Sequence, residues 1–156
     1  MTSTIVVVGA NIGGGRAVEA LRKEGFDGDI VLVGAEPDLP YERPPLSKGY
    51  LTGEVADGEF SVATAEGYAE QRIETRLATK ATTLDPAAKT VTLDDGTTLH
   101  YDTLLIATGA SPRRLRIPGH ELAGIHYLRT VADSRAIRDE LANAERVAGG
   151  GLGFVG

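Results

Sequence analysis

Thr4–Val8 is an unbroken apolar and β-branched run, TIVVV, and it ends on a glycine. Successive side chains of a strand point to opposite faces, so such a run suits a strand covered on both sides. The turn Gly9–Gly15, GANIGGG, comes next. A helix is expected over Arg16–Glu24, with Val18 and Leu21 on its apolar side and Gly25 at its end. Asp29–Val33, DIVLV, reads as a second buried strand. Strand, glycine turn, helix and strand within about thirty residues make a βαβ unit, whose crossover is right-handed. The fold class expected is therefore α/β, with a doubly wound, Rossmann-like parallel sheet.

The rest of the chain adds to that unit. Four of the seven prolines fall in Glu36–Glu54, EPDLPYERPPLSKGYLTGE. This is a shaped loop with a short helix starting near Pro44 or Pro45. A helix is expected over Thr64–Gln71 and a short strand over Ile73–Leu77. Thr82–Leu84, Thr90–Leu93 and Thr97–Leu99 alternate and are split by DPAAK and DDGT, the pattern of an antiparallel meander. Thr103–Gly109, TLLIATG, is another buried strand closed by glycine. Ile125–Leu128 is a candidate strand and Ala132–Ala144 a helix. RVAGGGLGFVG, from Arg146, begins a further strand and turn.

Composition removes several chemistries. There is no cysteine, hence no disulfide, thiol nucleophile or cysteine-held metal cluster. His100, His120 and His126 are scattered without metal-ligand spacing, so no metal site is expected. A net charge of −6 gives no support to a nucleic-acid-binding face. No apolar run approaches the ~20 residues needed to span a bilayer. Met-Thr-Ser-Thr leads straight into a strand with no signal-peptide pattern, so a cytoplasmic location is expected.

Four groups of residues could bind a ligand. A G-x-G-x-x-G fingerprint would occupy Gly9, position 11 and Gly14, but Asn11 holds the middle place. Such a turn aims backbone N–H groups and the positive helix end at a pyrophosphate; it can also be a glycine-rich crossover without a ligand. Glu36, just past the second strand, suits the hydroxyls of an adenosine ribose, or is a solvated loop carboxylate. Arg43 and Lys48 lie in PYERPPLSK, where a guanidinium fork and a mobile ammonium can meet phosphate or a ring, or simply face water. Ala107, Thr108 and Gly109 can put small residues beside a cofactor with Arg113 after the turn, or close a core strand. A complete G-x-G-x-x-G ends the chain at Gly151–Gly156, after a glycine-diluted strand and with no helix following.

Together these pieces resemble FAD-dependent, NAD(P)H-using ferredoxin reductases within the pyridine nucleotide-disulfide oxidoreductase superfamily. These include the putidaredoxin, rubredoxin and biphenyl-dioxygenase ferredoxin reductases. ERPPLSK and LLIATGASPR are the specific parts, and the meander lies in the same order. The resemblance implies an FAD-binding portion of a flavoprotein that takes electrons from NAD(P)H and delivers them to a ferredoxin-type iron–sulfur protein. It implies that Gly9, Gly14, Glu36, Arg43, Lys48, Ala81, Ala107, Thr108, Gly109 and Arg113 surround FAD. Glu36 would hold the ribose, and Arg43 the adenine and pyrophosphate side. Ala81 would meet adenine through its backbone. Lys48 is the catalytic candidate, a cation near the flavin ring. Asn11 departs from the family glycine, and restoring glycine there is expected to tighten FAD binding.

The resemblance also implies an organisation. Residues 1–128 would be the first segment of the FAD domain, 129–144 a connecting helix, and 145–156 the start of a truncated NAD(P)H domain. The sheet would then lack a strand and expose an apolar edge. The chain alone is expected to be inactive as a reductase. Two further possibilities stay open: a dinucleotide-binding module without turnover, and a truncated fragment.

Overall fold

The computed structural model describes residues 3–150. The chain forms two compact units. The first comprises residues up to Glu42 together with Ser61–Gly109, the second Arg43–Phe60 and the residues from Ala110 onward.

The first unit is built on a four-stranded parallel sheet. Its strands are β1 (Thr4–Val8), β2 (Asp29–Val33), β3 (Ile73–Arg76) and β7 (Thr103–Ile106), in the order β3-β2-β1-β7. The register aligns Val8 with Val33 and with Ile106, and Val33 with Arg76, so the strands end level at one side of the sheet. Alternation sorts the apolar run. Ile5, Val7, Ile30, Leu32 and Ile73 pack against Val18 of helix α1 (Ile12–Lys23) and Tyr68 of helix α3 (Ala65–Glu70). Val6, Val31 and Val33 face Val91 and Leu93 of a three-stranded antiparallel meander. That meander is β4 (Ala81–Asp85), β5 (Thr90–Leu93) and β6 (Thr98–His100). Both faces of β1 and β2 are therefore covered, which is why those two strands are apolar on consecutive residues; β7, expected as another buried strand, is instead largely exposed because no strand lies beyond it among the described residues. β7 stands at the edge of the sheet, and Ile106 there is 60% exposed.

Helix α1 begins four residues before the Arg16 start read from the sequence. The Asn11 carboxamide caps it, accepting the Gly13 N–H at 2.9 Å. Capping of this kind is worth about 1 kcal/mol, comparable to one helical glycine's penalty. At its other end Arg22 donates to the carbonyls of Phe26, Gly28, Gln71 and Arg72, tying α1 to the segments entering β2 and β3.

In the second unit a 3-10 turn (Pro44–Ser47) leads into the single-turn helix α2 (Gly49–Thr52). Helix α4 (Val131–Leu141) starts at Thr130, whose hydroxyl and backbone are engaged reciprocally by Asp133. Ser134 of α4 donates to the Leu46 carbonyl at 2.7 Å. The buried Tyr50 hydroxyl donates to Asp57 at 2.5 Å and accepts from Arg135 at 2.8 Å. Burial, then the Asp57 bond, raises the Tyr50 pKa. The Tyr50 and Arg135 bonds hold the Asp57 carboxyl below its ordinary value.

Two strand expectations fail. Ile125–Leu128 is not a strand: this stretch has no ladder partner among the described residues, and Tyr127 is instead fixed through its side chain. The Leu115 N–H donates to its hydroxyl, and the Arg114 guanidinium lies 5.3 Å from its ring centre. Residues 146–150 are also without strand structure. The fingerprint at 151–156 lies outside the described residues. β7 stops at Ile106 rather than Gly109: Ala107 donates to Val8, and Gly109 then turns away with φ +73°.

Candidate functional site

The first unit gathers Gly9, Asn11, Gly14, Ala107 and Thr108 where β1 and β7 end. Gly9 has φ +119°, and a Cβ built on it would lie 2.2 Å from the Ala107 carbonyl oxygen and 2.7 Å from the Thr108 nitrogen. Its N–H donates to Val33 at 2.8 Å. Only glycine permits both that backbone and that approach. At Gly14 a Cβ would fall 1.9 Å from the Gly9 oxygen. The first turn of α1 therefore sits directly on the end of β1, which is the packing role of a fingerprint's last glycine. A third contact was not read from the sequence. Gly15 admits Pro40, whose Cβ lies 2.5 Å from where a Gly15 Cβ would stand. Pro40 is thus seated against α1.

Asn11 occupies the middle fingerprint position in an extended conformation (φ −98°, ψ −172°). Its oxygen accepts from Gly13, and its Nδ2 donates to the Ala107 carbonyl at 2.5 Å. The amides of Ile12 and Gly14 have no acceptor among the described residues. Three amides of the first turn thus have different fates: one is used by Asn11, and two are available to a ligand at the positive end of the helix.

Glu36 lies half-buried beyond the end of β2. Its carboxylate accepts the Tyr41 hydroxyl at 2.5 Å, and its carbonyl accepts from Ala78 at 2.9 Å. Tyr41 is 3% exposed, so the carboxylate is held by a fixed donor. Tyr41 is not among the candidates read from the sequence. The signal was present in its place, five residues on, within a proline-stiffened loop.

Ala81 opens β4 beside a register shift and packs against the Val6–Val31–Val33 layer. It lines an open apolar cavity of about 150 Å³ with Val8, Leu84, Val91, Leu104 and Ile106, and no ionisable side chain lines it. Arg43, Lys48 and Arg113 belong to the second unit. Arg43 donates to the Arg129 carbonyl. Lys48 is exposed between the 3-10 turn and α2, and Arg113 is exposed after Ala110. Among the described residues no group of three or more His, Asp or Glu side chains could hold a metal ion. None of the helices there is long and apolar enough to cross a membrane.

Residues 3–156 match the pyridine nucleotide-disulphide oxidoreductase family. A ferredoxin–NAD(P)(+) reductase of Sphingomonas sp. is 42% identical over 159 aligned residues, covering 100% of this chain and 38% of that protein. The ferredoxin–NAD(+) reductase component of the Burkholderia cepacia anthranilate 1,2-dioxygenase system is 44% identical, covering 97% and 37%. A solved ferredoxin reductase for the CYP199A2 system of Rhodopseudomonas palustris superposes with a TM-score of 0.86 at 31% identity, over 90% of this chain and 35% of that one. The chain thus spans under two-fifths of the length of these relatives.

Proposed function

The chain belongs to the pyridine nucleotide-disulphide oxidoreductase family, and from that premise we propose that it is the FAD-holding portion of a ferredoxin reductase. In the complete protein NAD(P)H would be oxidised and electrons delivered to a ferredoxin-type iron–sulfur partner, in the cytoplasm. The observation that carries this reading is the junction at Gly9, Gly14 and Ala107, where backbone approaches that no Cβ could enter leave two first-turn amides for an anion. When bound, FAD supplies the hydride and single-electron chemistry.

The chain's own residues bind and orient. The Ile12 and Gly14 amides would donate to the pyrophosphate. Glu36 would accept from ribose hydroxyls, aimed by the Tyr41 hydroxyl. An acid at this place disfavours a ribose 2′-phosphate, which suits FAD. Ala107, Thr108 and Gly109 keep the phosphate side narrow, and Ala81 offers backbone groups to adenine. Arg43, Lys48 and Arg113 enter the reading through the family resemblance: Arg43 on the adenine and pyrophosphate side, Lys48 as the cation beside the flavin, and Arg113 among the residues around FAD. Within the same reading, residues 1–128 form the first FAD-domain segment, 129–144 connect, and 145–156 open the NAD(P)H domain.

The 156 residues by themselves are expected to bind without turnover, since they span under two-fifths of such reductases. The test is purification with added FAD followed by a visible spectrum and an NADH or NADPH assay with ferredoxin. Flavin bands near one equivalent and no ferredoxin reduction are expected. A colourless chain contradicts the binding reading, and NAD(P)H-driven ferredoxin reduction contradicts the expectation of inactivity.

A further inference from the structure

Asn11 departs from the glycine fingerprint, and its side chain is fully committed. The carboxamide oxygen takes the Gly13 amide at 2.9 Å, and the nitrogen reaches 96 residues along the chain to the Ala107 carbonyl at 2.5 Å. Ala107 is also bonded through its backbone and lies close against Gly9. Its N–H donates to Val8 at 2.7 Å, and its carbonyl stands where a Gly9 Cβ would collide at 2.2 Å. A glycine at position 11 could supply neither side-chain bond.

We propose that Asn11 is a positioning residue: a latch that joins the first turn of α1 to the end of β7 and so fixes the two loops that flank the pyrophosphate. Its ligand half rests on the FAD reading above. The latch reverses the effect expected from the motif alone. Asn11 already spans the gap that the family glycine leaves, so Asn11→Gly loosens the site rather than opening it. The cap and the latch are separable. A serine hydroxyl can still cap Gly13, but it is too short to donate to Ala107.

Amide exchange by NMR on the ¹⁵N-labelled 156-residue chain, without ligand, tests the latch directly. In wild type one Asn11 side-chain amide proton exchanges slowly, as do the Gly13 and Ala107 amides. In Asn11→Gly both backbone amides exchange about tenfold faster, the equivalent of losing one to two ordinary hydrogen bonds. In Asn11→Ser Gly13 stays slow and only Ala107 accelerates. Titration with ADP and with adenosine then tests the consequence. Both variants are expected to bind ADP about fivefold to tenfold more weakly, with adenosine affinity unchanged, a separation that a general loss of stability would not produce. Unchanged Ala107 exchange in both variants overturns the latch. So does ADP binding by Asn11→Gly that equals or exceeds wild type. Equal weakening for ADP and adenosine refutes the positioning role. A wild-type chain that binds neither ADP nor FAD refutes the FAD reading and the ligand half with it, while the exchange arm still decides whether the latch exists.

Discussion

Replacing Gly9 by alanine should cost about 3 to 4 kcal/mol of folding stability. A non-glycine residue at φ +119° carries about 1 to 2 kcal/mol of backbone strain. The new Cβ would also stand 2.2 Å from the Ala107 oxygen, more than an ångström inside ordinary contact, and that neighbour is backbone rather than a side chain that can turn away. Separating the two loops loosens the Gly9-to-Val33 and Ala107-to-Val8 hydrogen bonds, each worth about 1 kcal/mol net. Urea unfolding followed by circular dichroism measures the sum, and the thermal midpoint should fall by roughly 10 °C for a chain of this size. Gly13→Ala is the paired control in the same turn. Its Cβ would meet only the Asn11 oxygen, at 3.3 Å; with that carboxamide held at both ends, the tight contact offsets the gain in helix propensity, and the variant should stay within about 1 kcal/mol of wild type. A Gly9→Ala chain with the wild-type midpoint would refute the close approach of the two loops.

Three other predictions test the surroundings. Tyr68→Phe should stabilise the chain by about 1 kcal/mol at neutral pH, because the buried hydroxyl has no hydrogen-bond partner among the described residues. Burial also pushes the Tyr68 pKa up, from 10.0 to about 12. The folded state thus holds its proton longer than the unfolded state, so stability is intact below pH 10 and falls as pH rises toward about 12; alkaline unfolding curves of Tyr68→Phe should lose that component. Arg22→Ala should cost about 2 to 3 kcal/mol by stranding four carbonyl acceptors, and Arg22→Lys should recover less than half in urea melts, since an ammonium cannot match the fork. Tyr41→Phe removes a hydrogen bond to a carboxylate and should cost about 1 to 2 kcal/mol in urea melts; it should also weaken FAD binding about threefold to tenfold by removing one contact that orients Glu36, measured by flavin fluorescence titration.

The parallel sheet was legible because TIVVV and DIVLV are apolar on consecutive residues, a pattern that demands cover on both faces. The meander was legible because its turns punctuate alternating strands. What escaped depends on contacts far apart in sequence. Three consecutive glycines argued against a helix start before Arg16, and nothing local revealed that Asn11 would cap that turn while reaching Ala107. No local signal marked Gly15, whose missing side chain leaves the space that Pro40 occupies. Glu36 could be proposed from its place after β2, but its fixed orientation required seeing Tyr41 folded back on it. Ile125–Leu128 failed in the opposite direction: local β-character was present, and no neighbouring strand was.

The proposed reading places the pyrophosphate of FAD on the turn at Gly9–Gly15. Titrating FAD into the ¹⁵N-labelled chain and following amide chemical shifts tests it most directly. Saturable binding is expected, with the largest shifts at Ile12, Gly14, Glu36 and Ala107–Gly109. Saturable binding that leaves Ile12 and Gly14 unmoved, or no binding at all, would contradict it.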